Sequence, residues 1–309
     1  MCGIVGLFLK NTEMRSTLGA MFEPMLVEMT SRGPDSAGVA IYRDPADDGA
    51  VKFSLATDDA SYDWANLASR MKSDLGCDAV ASPIDTHCVL TISASESTAR
   101  RWLPENEPKI RVVGAGTRVE IFKETGTPQS VYDRFGLKSA SGTHMIGHTR
   151  MATESAVTTA GSHPFATGAD LCLVHNGSLS NHNLVRERLK KSGMTFQTEN
   201  DSEVAAAYMT AKLRDGATID EALTDAIEEL DGFYTFCIGT RDGFAVLRDP
   251  IACKHAVLAE TDDWVAMATE FRAIARLSGA EVAHIWEPKP KTIYTWGGNE
   301  GANGGASVH

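Results

Sequence analysis

No two of the six cysteines in this 309-residue chain form a C-x-x-C pair; Cys2, Cys77, Cys88, Cys172, Cys237 and Cys253 are scattered. Structural zinc and iron–sulfur clusters need grouped thiolates, so neither is expected here. Scattered thiols also fit a reducing compartment, and the cytoplasm is the expected location. Long apolar runs are missing as well. Residues 1–10 carry no basic flank and too short an apolar stretch for a signal peptide, and no run approaches a membrane span. Basic charge is scarce: 29 Lys and Arg against 41 Asp and Glu leave a net charge of −12. That balance favours solubility and argues against nucleic acid, whose binders need clustered cations. Neither G-x-x-x-x-G-K nor G-x-G-x-x-G occurs, so the phosphate-cradling loops are absent too. His144 and His148 share one strand face without a third ligand nearby, so no metal is expected.

With 43% apolar and 23% charged residues, the composition is that of an ordinary globular protein. Apolar and β-branched stretches predict strands over residues 3–9, 39–42, 51–55, 88–92, 119–122, 144–148, 171–175, 233–238, 244–247 and 265–268. Apolar residues at helical spacing predict helices over 17–29, 181–191, 201–214 and 219–230. Hairpins outnumber β–α–β alternations, which points to an antiparallel α+β architecture. We expect one domain over residues 2–296, with a polar insertion at about 57–141, and a flexible Gly-rich tail over 297–309.

Four stretches could carry chemistry. In "MCGIVG", removal of Met1 would give Cys2 a thiol and a free α-amine whose reference pKa, roughly 7.7–8.0, suits a base near neutrality. The plainer reading is a small buried cysteine. In "GHTRMATES", a strand delivers Arg150, a side chain suited to gripping a carboxylate through two parallel hydrogen bonds, or simply to a surface ion pair. In "LCLVHNGSLSN", Asn176-Gly177 reads as a turn, yet an Asn amide beside a glycine N–H could also form an oxyanion hole. In "ENDSE", Asp201 either caps a helix or binds a substrate ammonium. His163 and His182 read as packing or loop residues.

Together these stretches resemble the class II, N-terminal-nucleophile glutamine amidotransferases. The matching strings are MCGIVG, RGPDSAG at residues 32–38, GHTRMAT, SHPF, HNGSLSN and NDSE. The resemblance implies a four-layer αββα sandwich of two mainly antiparallel sheets. It implies Cys2 as nucleophile, and the Asn176 side chain and Gly177 N–H as oxyanion hole. It further implies Arg150, supported by Thr149 or Thr153, as carboxylate clamp, and Asp201, with Gly177 close by, as ammonium site. The reaction implied is thiolate attack on the glutamine side-chain amide, loss of ammonia and hydrolysis of a γ-glutamyl thioester. Two departures separate the chain from glucosamine-6-phosphate synthase: Glu154 stands where that branch has His, and Pro34 where it has an aromatic.

No acceptor signature follows, so the ammonia is expected to go to partner subunits. The strings "HTRMATESAVTT" and "HNGSLSNHN" look most like the amidotransferase subunits of glutamate-synthase-like complexes, such as the alpha subunit of N-methylglutamate synthase. There the FMN and the iron–sulfur cluster would lie on the partners and no cofactor on this chain. Two alternatives stay open: an amidase of the same nucleophile class acting on other amides, and a non-catalytic regulatory subunit.

Overall fold

The strand Gly3–Leu9 is apolar on both faces, as a strand buried on both sides must be. It occupies the middle of a seven-stranded sheet with the order His284–Trp286, Val257–Glu260, Trp264–Ala268, Gly3–Leu9, His144–Arg150, Ser36–Tyr42, Val119–Thr125. The outer face of this sheet, through Val5, Leu7, Val39 and Met145, packs on Phe22, Met25 and Leu26 of the helix Leu18–Glu28. Its inner face, through Ile4, Ala40, Tyr42 and Ile146, meets Cys172, Val174, Cys237 and Val246.

Those last four belong to a second sheet, ordered Ser307–Val308, Ile293–Gly297, Gly243–Arg248, Gly232–Thr240, Leu171–Leu179, Phe165–Gly168. Its other face, through Leu173, Phe236 and Leu247, is covered by the helices His182–Lys191, Asp201–Arg214 and Ile219–Glu229. Helix, sheet, sheet and helix are the four layers that the resemblance implies, and every paired strand is antiparallel. This computed structural model describes residues 2–152 and 156–298 and the backbone of residues 307–308.

A third sheet departs from expectation. Val51–Ala56, Ala79–Ile84, His87–Ile92 and Arg111–Gly116 form a separate four-stranded sheet with its own core around Phe53, Leu90 and Trp102. The expected insertion at 57–141 therefore begins too late and ends too late: Val119–Thr125 already pairs with Ser36–Tyr42 in the main sheet. Two helices in the polar stretch, Trp64–Leu75 and Glu96–Asn106, are held by few apolar residues each. Asp63 and Ser95 cap them by accepting from Asn66 N and Thr98 N. Of the tail expected over 297–309, Gly297 ends a strand and Ser307–Val308 pairs with that strand, while residues 299–306 and 309 lie outside the described residues.

Candidate active site

Side chains alternate along a strand, so positions two apart share a face. Ile4 faces the second sheet, and Cys2 has the same parity one step beyond the Gly3–Thr149 pair. Ile146 faces inward, and so do His148 and Arg150 at the end of the adjacent strand. Cys172 and Val174 point inward from the second sheet, and Asn176 follows them. Cys2, Arg150 and Asn176 thus emerge at one end of the sandwich, where they line a cleft of about 810 Å³ together with Gly177, Asp201 and Lys254. Among the described residues, no group of three His, Cys, Asp or Glu is arranged to hold a metal, and no helix is long and apolar enough to cross a membrane.

Asn176-Gly177 is not a turn. The strand runs straight through it from Leu171 to Leu179, with Asn176 opposite Thr235 and Gly177 opposite Tyr234. Ladder pairing over eight residues outweighs the local turn preference of the dipeptide. Gly177 sits at φ +150°, and a Cβ there would stand 2.0 Å from the Phe233 carbonyl oxygen. Only glycine allows the two strands to approach this closely beside the Asn176 amide.

Asp201 is relieved of capping duty. Asn200 caps the helix by accepting from Ser202 N at 2.9 Å, which leaves Asp201 at the first helical position. One carboxylate oxygen accepts from Leu179 N at 2.9 Å, tying the helix start to the end of the Asn176 strand. A carboxylate at a helix N-terminus is stabilised there, and this one faces the cleft. On the ammonium-binding role that the resemblance implies for Asp201, its replacement by alanine is expected to raise the KM for glutamine about 10- to 100-fold, the loss of one charge-assisted hydrogen bond. A steady-state titration against glutamine checks it.

Arg150 is buried and donates from Nη1 to the Gly161 carbonyl at 3.2 Å. The RGPD stretch steers the chain beyond it: Asp35 N donates to the Arg150 carbonyl, and the Asp35 carboxylate accepts from Ala152 N. This role of Asp35 is not visible in sequence spacing. Thr149 does not line the cleft. Its parity is opposite to that of Arg150, and its hydroxyl donates to the Met29 carbonyl at 3.1 Å on the helix side of the sheet. The expected support of a substrate carboxylate by Thr149 is therefore corrected to support of the strand. Thr153 lies outside the described residues.

Behind the cleft lies a buried cluster that brings His148 and the packing residue His163 together with His175 and Ser202. The rings of His148 and His163 stack with centroids 3.9 Å apart. The Ser202 hydroxyl bridges His163 Nε2 at 2.7 Å and His175 Nδ1 at 2.9 Å, and His148 Nε2–H donates to the His175 carbonyl. Burial pushes His148 and His144 down to about 3 and lowers His163 and His175 as well. All four are then neutral in the folded protein at pH 7. The unfolded chain binds these protons near pH 6.5, so stability is complete above that value and is lost as pH falls toward 3. A melting-temperature series over that window should show a steep decline, and a flat profile down to pH 4 would contradict it. His182 also lines the cleft and donates from Nδ1 to the Leu179 carbonyl, and Lys254 lies over the Phe233 ring at 4.9 Å.

Comparison with known proteins agrees with this geometry. A family profile described as "Glutamine amidotransferase domain" matches residues 148–276, the stretch that holds Arg150, Asn176, Gly177 and Asp201. "Glutamine amidotransferase-like protein GlxB" of Rhizobium meliloti (strain 1021) is 52% identical over 297 residues, covering 96% of this chain and 98% of that one. A glutamine phosphoribosylpyrophosphate amidotransferase from B. subtilis, solved with ADP and GMP, superposes with a TM-score of 0.62 at 19% identity. A structure described as the allosteric regulatory enzyme of purine biosynthesis superposes with a TM-score of 0.63 at 19% identity. All of this chain is covered in both, but it spans only 49% and 48% of theirs, so they speak for the fold alone. Fold, cleft and an end-to-end relative converge, and the chain belongs to the class II glutamine amidotransferases.

Proposed function

We propose that this chain is the glutaminase unit of a multi-subunit synthase of the glutamate-synthase-like type, such as N-methylglutamate synthase. The observation that carries the reading is the convergence of Cys2, Asn176, Gly177, Arg150 and Asp201 on one cleft from both sheets and a helix start. Arg150 and Asp201 suit the carboxylate and ammonium of an α-amino acid, which a general amidase has no need to read. Once Met1 is removed, the Cys2 amine takes the thiol proton and the thiolate attacks the side-chain amide carbon. The Asn176 amide and Gly177 N–H are the donors for the oxyanion that forms. Collapse expels ammonia, which leaves with the proton carried by the amine, and water then hydrolyses the thioester to glutamate.

The Rhizobium relative is matched over 98% of its length, so it is a chain of about this extent. In this reading the ammonia acceptor, the FMN and the iron–sulfur cluster sit on separate subunits in the cytoplasm. The test compares glutamine with glutaramate, which keeps the amide and carboxylate but lacks the α-amine. Glutamine turnover with glutaramate at least tenfold slower supports the reading, and equal rates would favour an amidase.

A further inference from the structure

Lys123 lies on Val119–Thr125, the strand that brings the chain back from the four-stranded sheet into the main one. The strand expected from the sequence, over residues 119–122, stops one residue short of it. Yet the side chain is buried, and its ammonium donates to three backbone carbonyls: Ala160 at 3.2 Å, Ser162 at 2.8 Å and Pro164 at 3.2 Å. A lysine has three N–H donors, so all are used on one loop. The ammonium also lies over the Phe165 ring at 4.6 Å. Gly38, the cross-strand neighbour of Lys123, makes room for the arrangement. A Cβ there would come within 2.3 Å of the His163 carbonyl oxygen and 2.5 Å of Lys123 Cβ.

The loop held in this way is part of the cleft. It contributes Ala160, Gly161 and His163 to the lining, and the Gly161 carbonyl accepts from Arg150 Nη1. It is closed on itself by Thr158, whose hydroxyl accepts from Gly161 N and whose carbonyl accepts from Ser162 Oγ. Glu124, next to Lys123, accepts from Thr159 Oγ1 and so secures the same loop from the neighbouring position.

We propose that Lys123 is a positioning residue for substrate recognition: by fixing the loop around Gly161 it sets the orientation of the Arg150 guanidinium for the substrate carboxylate. This rests on the glutaminase reading above and adds to it a residue that never touches substrate. A buried ammonium is costly unless its donors are met, and here the carbonyls meet them all. Burial draws Lys123 down to about 8, with Cys172 and Glu203 opposing and Arg111 adding to the effect, so the charged form holds at neutral pH.

The test uses two reagents on Cys2 that differ in whether they need Arg150. A glutamine-mimicking diazoketone carries the α-carboxylate, whereas iodoacetamide is small and uncharged. In Lys123→Met we expect the glutamine KM to rise about tenfold with kcat within about threefold of wild type. Diazoketone inactivation should slow in step with kcat/KM, while iodoacetamide alkylation of Cys2 stays within about twofold. Lys123→Gln, which keeps two donors and loses the charge, serves if Lys123→Met does not fold. Equal slowing of both reagents would mean a merely structural role and overturn the proposal, as would no slowing of either. A wild-type protein that takes iodoacetamide but not the diazoketone would overturn the glutaminase reading itself.

Discussion

Cys2→Ala should lose glutamine-dependent turnover by on the order of 10⁴-fold or more, because the proposed mechanism runs through a thioester and Cys2 is the one thiol that lines the cleft among the described residues. The buried cysteines do not compensate. Cys172 and Cys237 are buried between the sheets, where burial raises both thiols far above the usual range, and Cys88 is pushed up to about 12 in the separate small core. On the proposed reading, which puts the acceptor site on a separate subunit, ammonia-dependent synthesis by the assembled synthase should continue at close to the wild-type rate. Both activities are measured on the same purified complex, with glutamine and with ammonium salt. Loss of both would mean that the division of labour between subunits is misplaced.

Gly177→Ala should damage fold and chemistry together. The added Cβ would stand 2.0 Å from the Phe233 carbonyl and 2.7 Å from Tyr234 Cα, at a φ of +150° that other residues rarely adopt. Backbone must move to relieve this, at about 2–4 kcal/mol from overpacking and strain combined. The displaced segment carries Asn176 and the Gly177 N–H, and loss of oxyanion alignment costs about 10²–10³-fold in kcat. Gly193→Ala is the matched control: its φ is +89° with nothing within 4 Å, so about 1 kcal/mol and unchanged activity are expected. Thermal melts and kcat of the two variants separate the site-specific effect from simple glycine strain. A Gly177→Ala protein as stable and active as Gly193→Ala would contradict the role assigned to that position.

Much of this was legible in residue order alone. The strand Gly3–Leu9 and the helix Asp201–Arg214 fall where their apolar patterns predict them, because burial on both faces or on a broad stripe leaves a regular signature. Asn176-Gly177 misled because turn preference is local, while the ladder to Gly232–Thr240 that overrides it lies some sixty residues away. The helices Trp64–Leu75 and Glu96–Asn106 were missed because polar and charged residues together outnumber the few that face their core. Thr149 was named, as an alternative to Thr153, through the family resemblance alone, and alternation along the strand turns it to the face opposite Arg150. Lys123, Asp35 and Ser202 were invisible for another reason: a charged or hydroxyl side chain declares no partner, and theirs lie 27 to 117 residues away.

Cys2 as an N-terminal nucleophile is the claim on which the rest depends. It is tested most directly by peptide mass mapping of the mature, fully active protein after inactivation with the glutamine-mimicking diazoketone. The account predicts a first peptide that begins at Cys2 with a free amine and carries one adduct on that sulfur, with no adduct on Cys77 or Cys253. A fully active protein that retains Met1, or an adduct on any other cysteine, would contradict it.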